Sequence, residues 1–172
     1  MSARPRPRWS VIGALVTDVD GVLTDGGIYY TEHGDELKRF DVRDGQGLVS
    51  LREAGVLTAI VTRRQSAIVA RRARELGITE VHQDVTDKGA AIADLIARHA
   101  LTAASICYVG DDLGDLPAMR AVGLPVAVAD AVTEVRRAAA YVTRARAGHG
   151  AIREVCNLIL AARQPGGTRG RG

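Results

Sequence analysis

The sequence predicts an α/β fold, in which a mainly parallel sheet is covered by helices on both faces. Short β-branched runs alternate with amphipathic segments along the chain and are joined by short loops, which is typical of such a sheet. Aromatic residues make up only 3% of the 172 residues, so the core must be aliphatic, which suits strands buried on both faces. The length is that of one domain, and we find no internal repeat.

The predicted strands are short runs rich in Val, Ile, Thr and Tyr. Those of the main sheet cover residues 11–17, 56–61, 80–82, 105–109, 125–128 and 141–143. Two more, 28–30 and 36–40, flank the sequence Glu-His-Gly-Asp at 32–35, which predicts a hairpin turn.

The predicted helices are bounded by capping residues. Gly55 closes the first helix, Ser66 and Asp87 are N-cap residues of the next two, and Gly77 ends the second. The helices cover residues 47–54, 66–76, 87–99, 116–121, 132–139 and 151–162. Together with the strands they predict a Rossmann-like sheet, whose ligands bind beyond the carboxyl ends of the strands.

The net charge of +3 is unevenly distributed. Six arginines lie in two terminal segments without acids, so the rest of the chain has a net charge of −3. We predict a flexible basic arm at 1–10, a globular domain at 11–162 and a flexible tail at 163–172. The alternative, that the arms bind nucleic acid, lacks a zinc-finger spacing or an aromatic stacking platform.

The cysteines and the apolar runs indicate the cellular compartment. Cys107 and Cys156 form no CxxC pair and lie on apolar faces, so we predict core thiols and a reducing cytoplasm. The longest apolar runs are too short to cross a membrane, and no signal peptide is recognisable. The expected partner is therefore neither a membrane nor a nucleic acid.

Four polar clusters lie at predicted strand ends or helix starts. Asp18 and Asp20 follow the first strand, and hard oxygen ligands of this kind suit Mg²⁺. Thr62 ends the second strand of the main sheet, and Lys88 lies on the first turn of its helix, where a bound anion or a carboxylate cluster would compensate its unfavourable place in the helix dipole. The fourth cluster is Gly-Asp-Asp-Leu-Gly-Asp at 110–115, whose acids repel one another unless a cation or hydrogen-bond donors neutralise them.

Each cluster also has a simpler interpretation. The aspartates can bond loop amides, Thr62 is an ordinary strand-end residue, and Lys88 can be a solvated lysine. A catalytic function is favoured by the order of the motifs, which is Asp-x-Asp, Thr, Lys, Gly-Asp-Asp. Each motif stands at its own strand end or helix start.

This order resembles the haloacid dehalogenase superfamily, and within it the sugar-acid phosphatases that lack a large cap domain and act on 3-deoxy-manno-octulosonate 8-phosphate. The resemblance covers roughly residues 11–160. The strings that carry it are DVDGVLTDGGIYY, GDELKRFDVRDGQGL, VTRRQSAIVARRARELGI, DVTDKGAAI, YVGDDLGDLPAM, VGLPVAVADA, YVT and GHGAIREVCNLIL. It implies a haloacid dehalogenase-like fold with a small β-hairpin insertion at about 24–41.

The resemblance also implies roles for individual residues. Asp18 would attack phosphorus to form an aspartyl-phosphate, and Asp20 would act as the general acid and base. Thr62 and Lys88 would offset charge on the transferring phosphoryl group. Mg²⁺ would be held by Asp18, the Asp20 carbonyl and Asp111, with Asp112 close by and Asp115 orienting Lys88 or the loop.

The substrate implied is a phosphorylated sugar acid. Arg43, Arg64 and Ser66 are the candidate substrate-binding residues. Two positions depart from the family pattern: Arg63 and Asp84 each stand where glycine is usual. The alternatives are a nine-carbon nonulosonate 9-phosphate, another sugar phosphate, or a non-catalytic domain that partners a sugar-nucleotide synthetase.

A homotetramer is the predicted assembly. The hairpin carries Ile28, Tyr29, Tyr30, Leu37 and Phe40, and apolar residues on an isolated hairpin need a partner surface. By resemblance, a neighbouring subunit would cover the catalytic cleft, and residues 148–150 with Arg153 would reach it. The alternative is a hairpin folded back on its own domain.

Overall fold

The computed structural model describes residues 7–163 and has a six-stranded parallel sheet at its centre. Two short strands, β2 and β3, form a separate antiparallel hairpin, in which Tyr29 faces Leu37. In chain order the strands are β1 (Ala14–Thr17), β2 (Tyr29–Tyr30), β3 (Glu36–Leu37), β4 (Leu57–Val61), β5 (Glu80–His82), β6 (Ile106–Gly110), β7 (Leu124–Ala127) and β8 (Tyr141–Val142). The order across the main sheet is β5-β4-β1-β6-β7-β8, so the predicted α/β class is confirmed.

The helices are α1 (Val42–Glu53), α2 (Ala67–Leu76), α3 (Lys88–Arg98), α4 (Leu116–Arg120), α5 (Thr133–Ala138) and α6 (Ala151–Arg163). Single 3-10 turns lie at Trp9–Val11, Ala103–Ser105 and Leu113–Asp115. Helices α1 and α6 pack closely because Gly47 of α1 lies against Cys156, where a Cβ would come within 3.2 Å of the sulfur atom.

The core is aliphatic, as the composition indicates. Strands β1 and β6 are buried along their whole length. Both cysteines are free and fully buried, which confirms them as core thiols. Tyr108 is the largest of the fully buried side chains among residues 7–163.

Three element boundaries differ from the predictions. β1 begins at Ala14 rather than at residue 11, because Trp9–Val11 forms a 3-10 turn. Helix α1 begins at Val42 rather than at residue 47, because the Asp41 carboxylate accepts a hydrogen bond from the Arg43 amide and caps it. Ser66 stands at the N-cap position of α2, but its hydroxyl makes no capping bond.

The hairpin presents apolar side chains to solvent. Ile28 is 58% exposed, Tyr30 65% and Leu37 56%. Phe40 differs from the prediction, because it packs against the core and the Arg72 guanidinium lies 5.9 Å from its ring centroid.

Of the two predicted terminal segments, residues 1–6 and 164–172 lie outside the described residues. Trp9 packs edge-on against Tyr141, with 5.2 Å between the ring centroids. Within residues 7–163, no helix has the length and apolarity needed to cross a membrane.

Candidate active site

The carboxyl ends of β1, β4 and β6 meet the start of α3 around one cavity of about 240 Å³. This placement follows from the parallel sheet, because the loops after neighbouring parallel strands leave the sheet at the same edge. The residues that line the cavity are Asp18, Asp20, Thr62, Arg63, Arg64, Lys88, Asp111, Asp112, Gly114 and Asp115. The structure therefore brings together every residue for which the sequence predicts a catalytic or metal-binding role.

Asp18 is the first residue after β1 and is nearly buried. Its Oδ1 accepts a hydrogen bond of 2.7 Å from the Val19 amide, and its Oδ2 lies 2.8 Å from the Lys88 ammonium. Burial and the negative charge of Asp115 raise the pKa of Asp18 to about 6. The carboxylate is thus held in one orientation by two donors while its charge is poorly solvated.

Lys88 is buried between two carboxylates. Its ammonium lies 2.8 Å from Asp18 Oδ2 and 2.6 Å from Asp115 Oδ1. Burial lowers the pKa of Lys88, but the two carboxylates raise this pKa by a larger amount. The side chain therefore stays protonated. Asp87 caps helix α3 through the Ala90 amide, which sets the position from which Lys88 enters the cavity.

Asp115 uses both carboxylate oxygens to organise the site. Oδ1 accepts hydrogen bonds of 2.6 Å from Lys88 and from the Tyr108 hydroxyl. Oδ2 accepts from the amides of Asp111 and Asp112, at 2.8 and 3.2 Å. Asp115 thus contacts both Lys88 and the 110–115 loop, the two groups that it is predicted to orient.

Asp111 carries the clearest sign of a site that could hold a cation. Its Oδ1 is buried without a hydrogen-bond partner among residues 7–163. One carboxylate oxygen from each of Asp18, Asp111 and Asp115 lies within 4.8 Å of the others. Burial and the charges of Asp115 and Asp18 raise the pKa of Asp111 to about 8. A divalent cation fits this donor set, because it would supply the missing partner and neutralise the repulsion.

Gly21 makes room for that carboxylate. Its φ of +84° lies in the left-handed region, and a Cβ at this position would come within 2.1 Å of Asp111 Oδ2. A side chain at position 21 would therefore displace Asp111 from the cluster.

The three predicted substrate-binding residues do not all lie together in the structure. Arg64 Nη2 donates to Glu36 Oε1 at 2.7 Å, and the Ser66 hydroxyl donates to Glu36 Oε2 at 3.2 Å. Both are thus engaged by a carboxylate of the hairpin. Arg43 is not brought to the cavity, since it pairs with Asp41 and points towards the His149 carbonyl.

Lys38 is a site residue that the sequence reasoning missed. Its ammonium donates to Asp20 Oδ1 at 2.5 Å and lies 3.3 Å from Glu36, with only 2% of its side chain exposed. The available signal was composition: the chain has two lysines, Lys38 and Lys88, among 23 basic residues, and both reach this site.

The two departures from the family pattern have different surroundings. Arg63 lines the cavity. Asp84 does not line it, and its φ of +57° is a conformation that glycine adopts freely and that aspartate tolerates better than most residues.

Comparisons with known proteins identify the family of this chain and agree with its fold. A family model described as haloacid dehalogenase-like hydrolase matches residues 73–155. The 3-deoxy-D-manno-octulosonate 8-phosphate phosphatase of Escherichia coli K12 is 47% identical over 151 residues, which cover 88% of this chain and 80% of that protein.

Solved structures of relatives have a similar fold. The corresponding phosphatase of Moraxella catarrhalis, in complex with magnesium, phosphate and KDO, is 42% identical with a TM-score of 0.88, and the match covers 91% of this chain and 90% of that one. A cobalt-bound form from Haemophilus influenzae is 40% identical with a TM-score of 0.88, covering 91% and 92%. With this fold, these acids and these relatives, the chain belongs to the 3-deoxy-D-manno-octulosonate 8-phosphate phosphatase family of haloacid dehalogenase-like hydrolases.

Proposed function

We propose that this protein hydrolyses the phosphomonoester of 3-deoxy-D-manno-octulosonate 8-phosphate or a closely similar sugar acid, with Mg²⁺ as its cofactor. The observation that carries the proposal is the arrangement of Asp18, Lys88 and Asp111 around one cavity. The relatives that share the fold are named for this activity, and one of them is described in complex with magnesium, phosphate and KDO.

Asp18 is the nucleophile of the proposed reaction. One of its carboxylate oxygens attacks phosphorus while the bond from phosphorus to the sugar oxygen breaks, which gives an aspartyl-phosphate and an alcohol. Lys88 keeps the carboxylate in position and offsets charge on the phosphoryl oxygens, together with the Thr62 hydroxyl at the end of β4.

Asp20 moves the protons. A proton taken up by Asp20 from solvent passes to the leaving sugar oxygen, and the carboxylate that remains takes a proton from the water that attacks the aspartyl-phosphate, so that phosphate leaves and Asp18 is regenerated. The ion pair with Lys38 holds the Asp20 side chain on the hairpin side of the cavity. Lys38 is thus a positioning residue that acts through Asp20.

The Mg²⁺ ion would be held by Asp18 and Asp111, with the Asp20 carbonyl as a further oxygen ligand and Asp112 close by. When bound, it supplies positive charge that polarises the phosphoryl group and favours ionised Asp18. The unpartnered oxygen of Asp111 supports this assignment. Asp115 contributes less, because its oxygens already accept four hydrogen bonds.

The proposal includes a homotetramer in the cytoplasm. Exposed apolar residues on the hairpin support a subunit interface, and the cavity has no cap domain over it within residues 7–163. A neighbouring subunit would exclude water from the cavity and complete it. The two free cysteines support a reducing compartment.

A nucleophile substitution tests the function. In Asp18→Asn we expect phosphate release from 3-deoxy-D-manno-octulosonate 8-phosphate to fall by at least about 10³-fold, because an amide is a poor nucleophile. Asp94→Asn, on the exposed face of α3, is the matched control and keeps its rate. Normal turnover by a folded Asp18→Asn protein would contradict the mechanism.

A substrate panel tests the proposed specificity. The octulosonate 8-phosphate, a nonulosonate 9-phosphate and sugar phosphates without a carboxylate are compared by kcat/KM in the presence of Mg²⁺. Preference for another member of the panel would reassign the substrate and leave the chemistry in place.

A further inference from the structure

The hairpin residue Lys38 holds the side chain of Asp20. Its ammonium donates to Asp20 Oδ1 at 2.5 Å, and only 2% of the Lys38 side chain is exposed. Asp20 lines the catalytic cavity, whereas Lys38 does not. The orientation of the proposed general acid therefore depends on the contacts that fix Lys38.

Glu36 is the second carboxylate beside Lys38. Its Oε1 lies 3.3 Å from the Lys38 ammonium, and the same oxygen accepts a hydrogen bond of 2.7 Å from Arg64 Nη2. Its Oε2 accepts a hydrogen bond of 3.2 Å from the Ser66 hydroxyl. Burial raises the pKa of Glu36, but the neighbouring cations and hydrogen-bond donors lower it below its ordinary value. The Glu36 carboxylate thus carries its negative charge between two cations.

These contacts join the hairpin to the loop after β4. Strands β2 and β3 are only two residues long each, and an isolated two-stranded hairpin is marginally stable in water. The loop side of the contact is fixed, because the Ser66 amide donates to Gln83 Oε1 at 2.6 Å. Glu36 therefore connects an anchored loop to Lys38, which lies two residues further along the chain.

We propose that Glu36 is a positioning residue for the general acid, because it holds Lys38 against Asp20. This inference rests on the proposed function, since it requires Asp20 to pass a proton to the leaving sugar oxygen. Glu36 does not line the cavity, so it acts through Lys38 and not on the substrate. Without its charge, the Lys38 and Arg64 cations repel each other, and a displacement of about 1 Å at a catalytic group can slow a reaction on the order of 100-fold.

The first test compares two leaving groups in Glu36→Gln, as kcat/KM of the full chain with Mg²⁺. The sugar alcohol of 3-deoxy-D-manno-octulosonate 8-phosphate needs a proton to leave, whereas nitrophenolate leaves p-nitrophenyl phosphate readily without one. We expect kcat/KM to fall roughly 10- to 100-fold for the octulosonate and less than about threefold for the p-nitrophenyl ester. Glu53→Gln, at the exposed end of α1, is the matched control and keeps both values.

A double-mutant cycle tests whether Glu36 acts through Lys38. We expect Lys38→Met to give the same dependence on the leaving group. Adding Glu36→Gln to Lys38→Met should then lower kcat/KM for the octulosonate no further, because the two residues act in series. An effect of Glu36 through Arg64 would instead persist in the Lys38→Met protein.

Three results would overturn the inference. They are an unchanged kcat/KM for the octulosonate in Glu36→Gln, an equal loss for both substrates, and a loss of full size when Lys38 is already Met. Retained hydrolysis of the p-nitrophenyl ester shows that a variant is folded, since that reaction still needs Asp18 and Lys88. The proposed function fails in a different way, namely when the unmodified protein with Mg²⁺ releases no phosphate from the octulosonate.

Discussion

Gly21 determines how closely the Asp111 carboxylate approaches the first loop of the active site. Because a Cβ would lie 2.1 Å from Asp111 Oδ2, the contact is available only to glycine. The left-handed φ of +84° adds a conformational reason for the same residue.

We expect Gly21→Ala to weaken Mg²⁺ binding by at least about tenfold, since the methyl group displaces a proposed ligand. Titration calorimetry of the metal-free protein measures this effect. Gly34→Ala is the matched control, because Gly34 has a similar φ of +86° with no atom near its Cβ position. Equal loss of Mg²⁺ affinity in both variants would show that backbone strain, and not the contact with Asp111, is responsible.

The raised pKa of Asp111 predicts a pH-dependent stability in the metal-free protein. Folding raises this pKa from 3.8 to about 8, chiefly by burial and by the charges of Asp115 and Asp18. The folded state then holds a proton that the unfolded state releases, so stability falls as pH rises from about 4 to about 8.

Without metal, we expect the melting temperature to be roughly 5 °C lower at pH 8 than at pH 6, and the difference to shrink with Mg²⁺. Asp111→Asn, measured without metal, removes the contribution of this group. An Asp111→Asn protein with the same pH dependence as the unmodified chain would rule out Asp111 as its source.

Residues whose roles depend on local motifs could be predicted, whereas those that depend on tertiary contacts could not. Asp18, Thr62, Lys88 and Asp111 stand at strand ends or a helix start, so their meeting follows from the parallel sheet. Lys38 and Glu36 reach the site through long-range contacts, with Asp20 at 18 positions from Lys38 and Arg64 at 28 positions from Glu36. No periodicity in the sequence specifies that approach.

A buried carboxylate of helix α1 caps the N-terminus of helix α6. Asp44 of α1 accepts hydrogen bonds from the amides of Gly150 and Arg153, at 3.2 and 2.7 Å, at the start of α6. Burial raises the pKa of Asp44. The N-terminus of α6 thus depends on a residue more than 100 positions away.

We expect Asp44→Ala to lower the free energy of unfolding by about 2 kcal/mol, because two partly buried amides at the start of α6 lose their acceptor. Urea denaturation measures the change. Asp94→Ala, on the exposed face of α3, is the control and should cost less than about 0.5 kcal/mol. A change no larger than the control's would show that α6 does not depend on this cap.

The start of α1 shows why an element boundary escaped sequence analysis. The predicted helix began at Gly47, whereas α1 begins at Val42 and therefore also contains Gly45, although glycine is a poor helix former. In the structure both glycines are buried within α1, where a Cβ on Gly45 would meet Arg72 and one on Gly47 would meet Cys156. Close packing thus outweighs helix propensity at these two positions.

At the scale of the whole molecule, the hairpin is the proposed site of assembly. We expect the unmodified protein to be a tetramer at micromolar concentration. We expect Tyr30→Asp to dissociate this tetramer, because it places a charge in the proposed interface, where Tyr30 is 65% exposed on the single subunit. Light scattering gives the mass, and phosphate release measures the accompanying loss of activity.

Val11→Asp, a similar change at an apolar residue that is 37% exposed and outside the hairpin, is the control for this experiment. A fully active unmodified protein with a mass near 18.2 kDa would show that no neighbour is needed.

The burial of both lysines has a consequence for chemical labelling. Lys38 and Lys88 are the two lysines of the chain, and each has only 2% of its side chain exposed, while arginines supply the remaining strong positive charges. Reagents that acylate lysine amines therefore meet no accessible target on the folded subunit. Modification of either lysine, located by peptide mass, becomes a direct report that the catalytic cavity has opened.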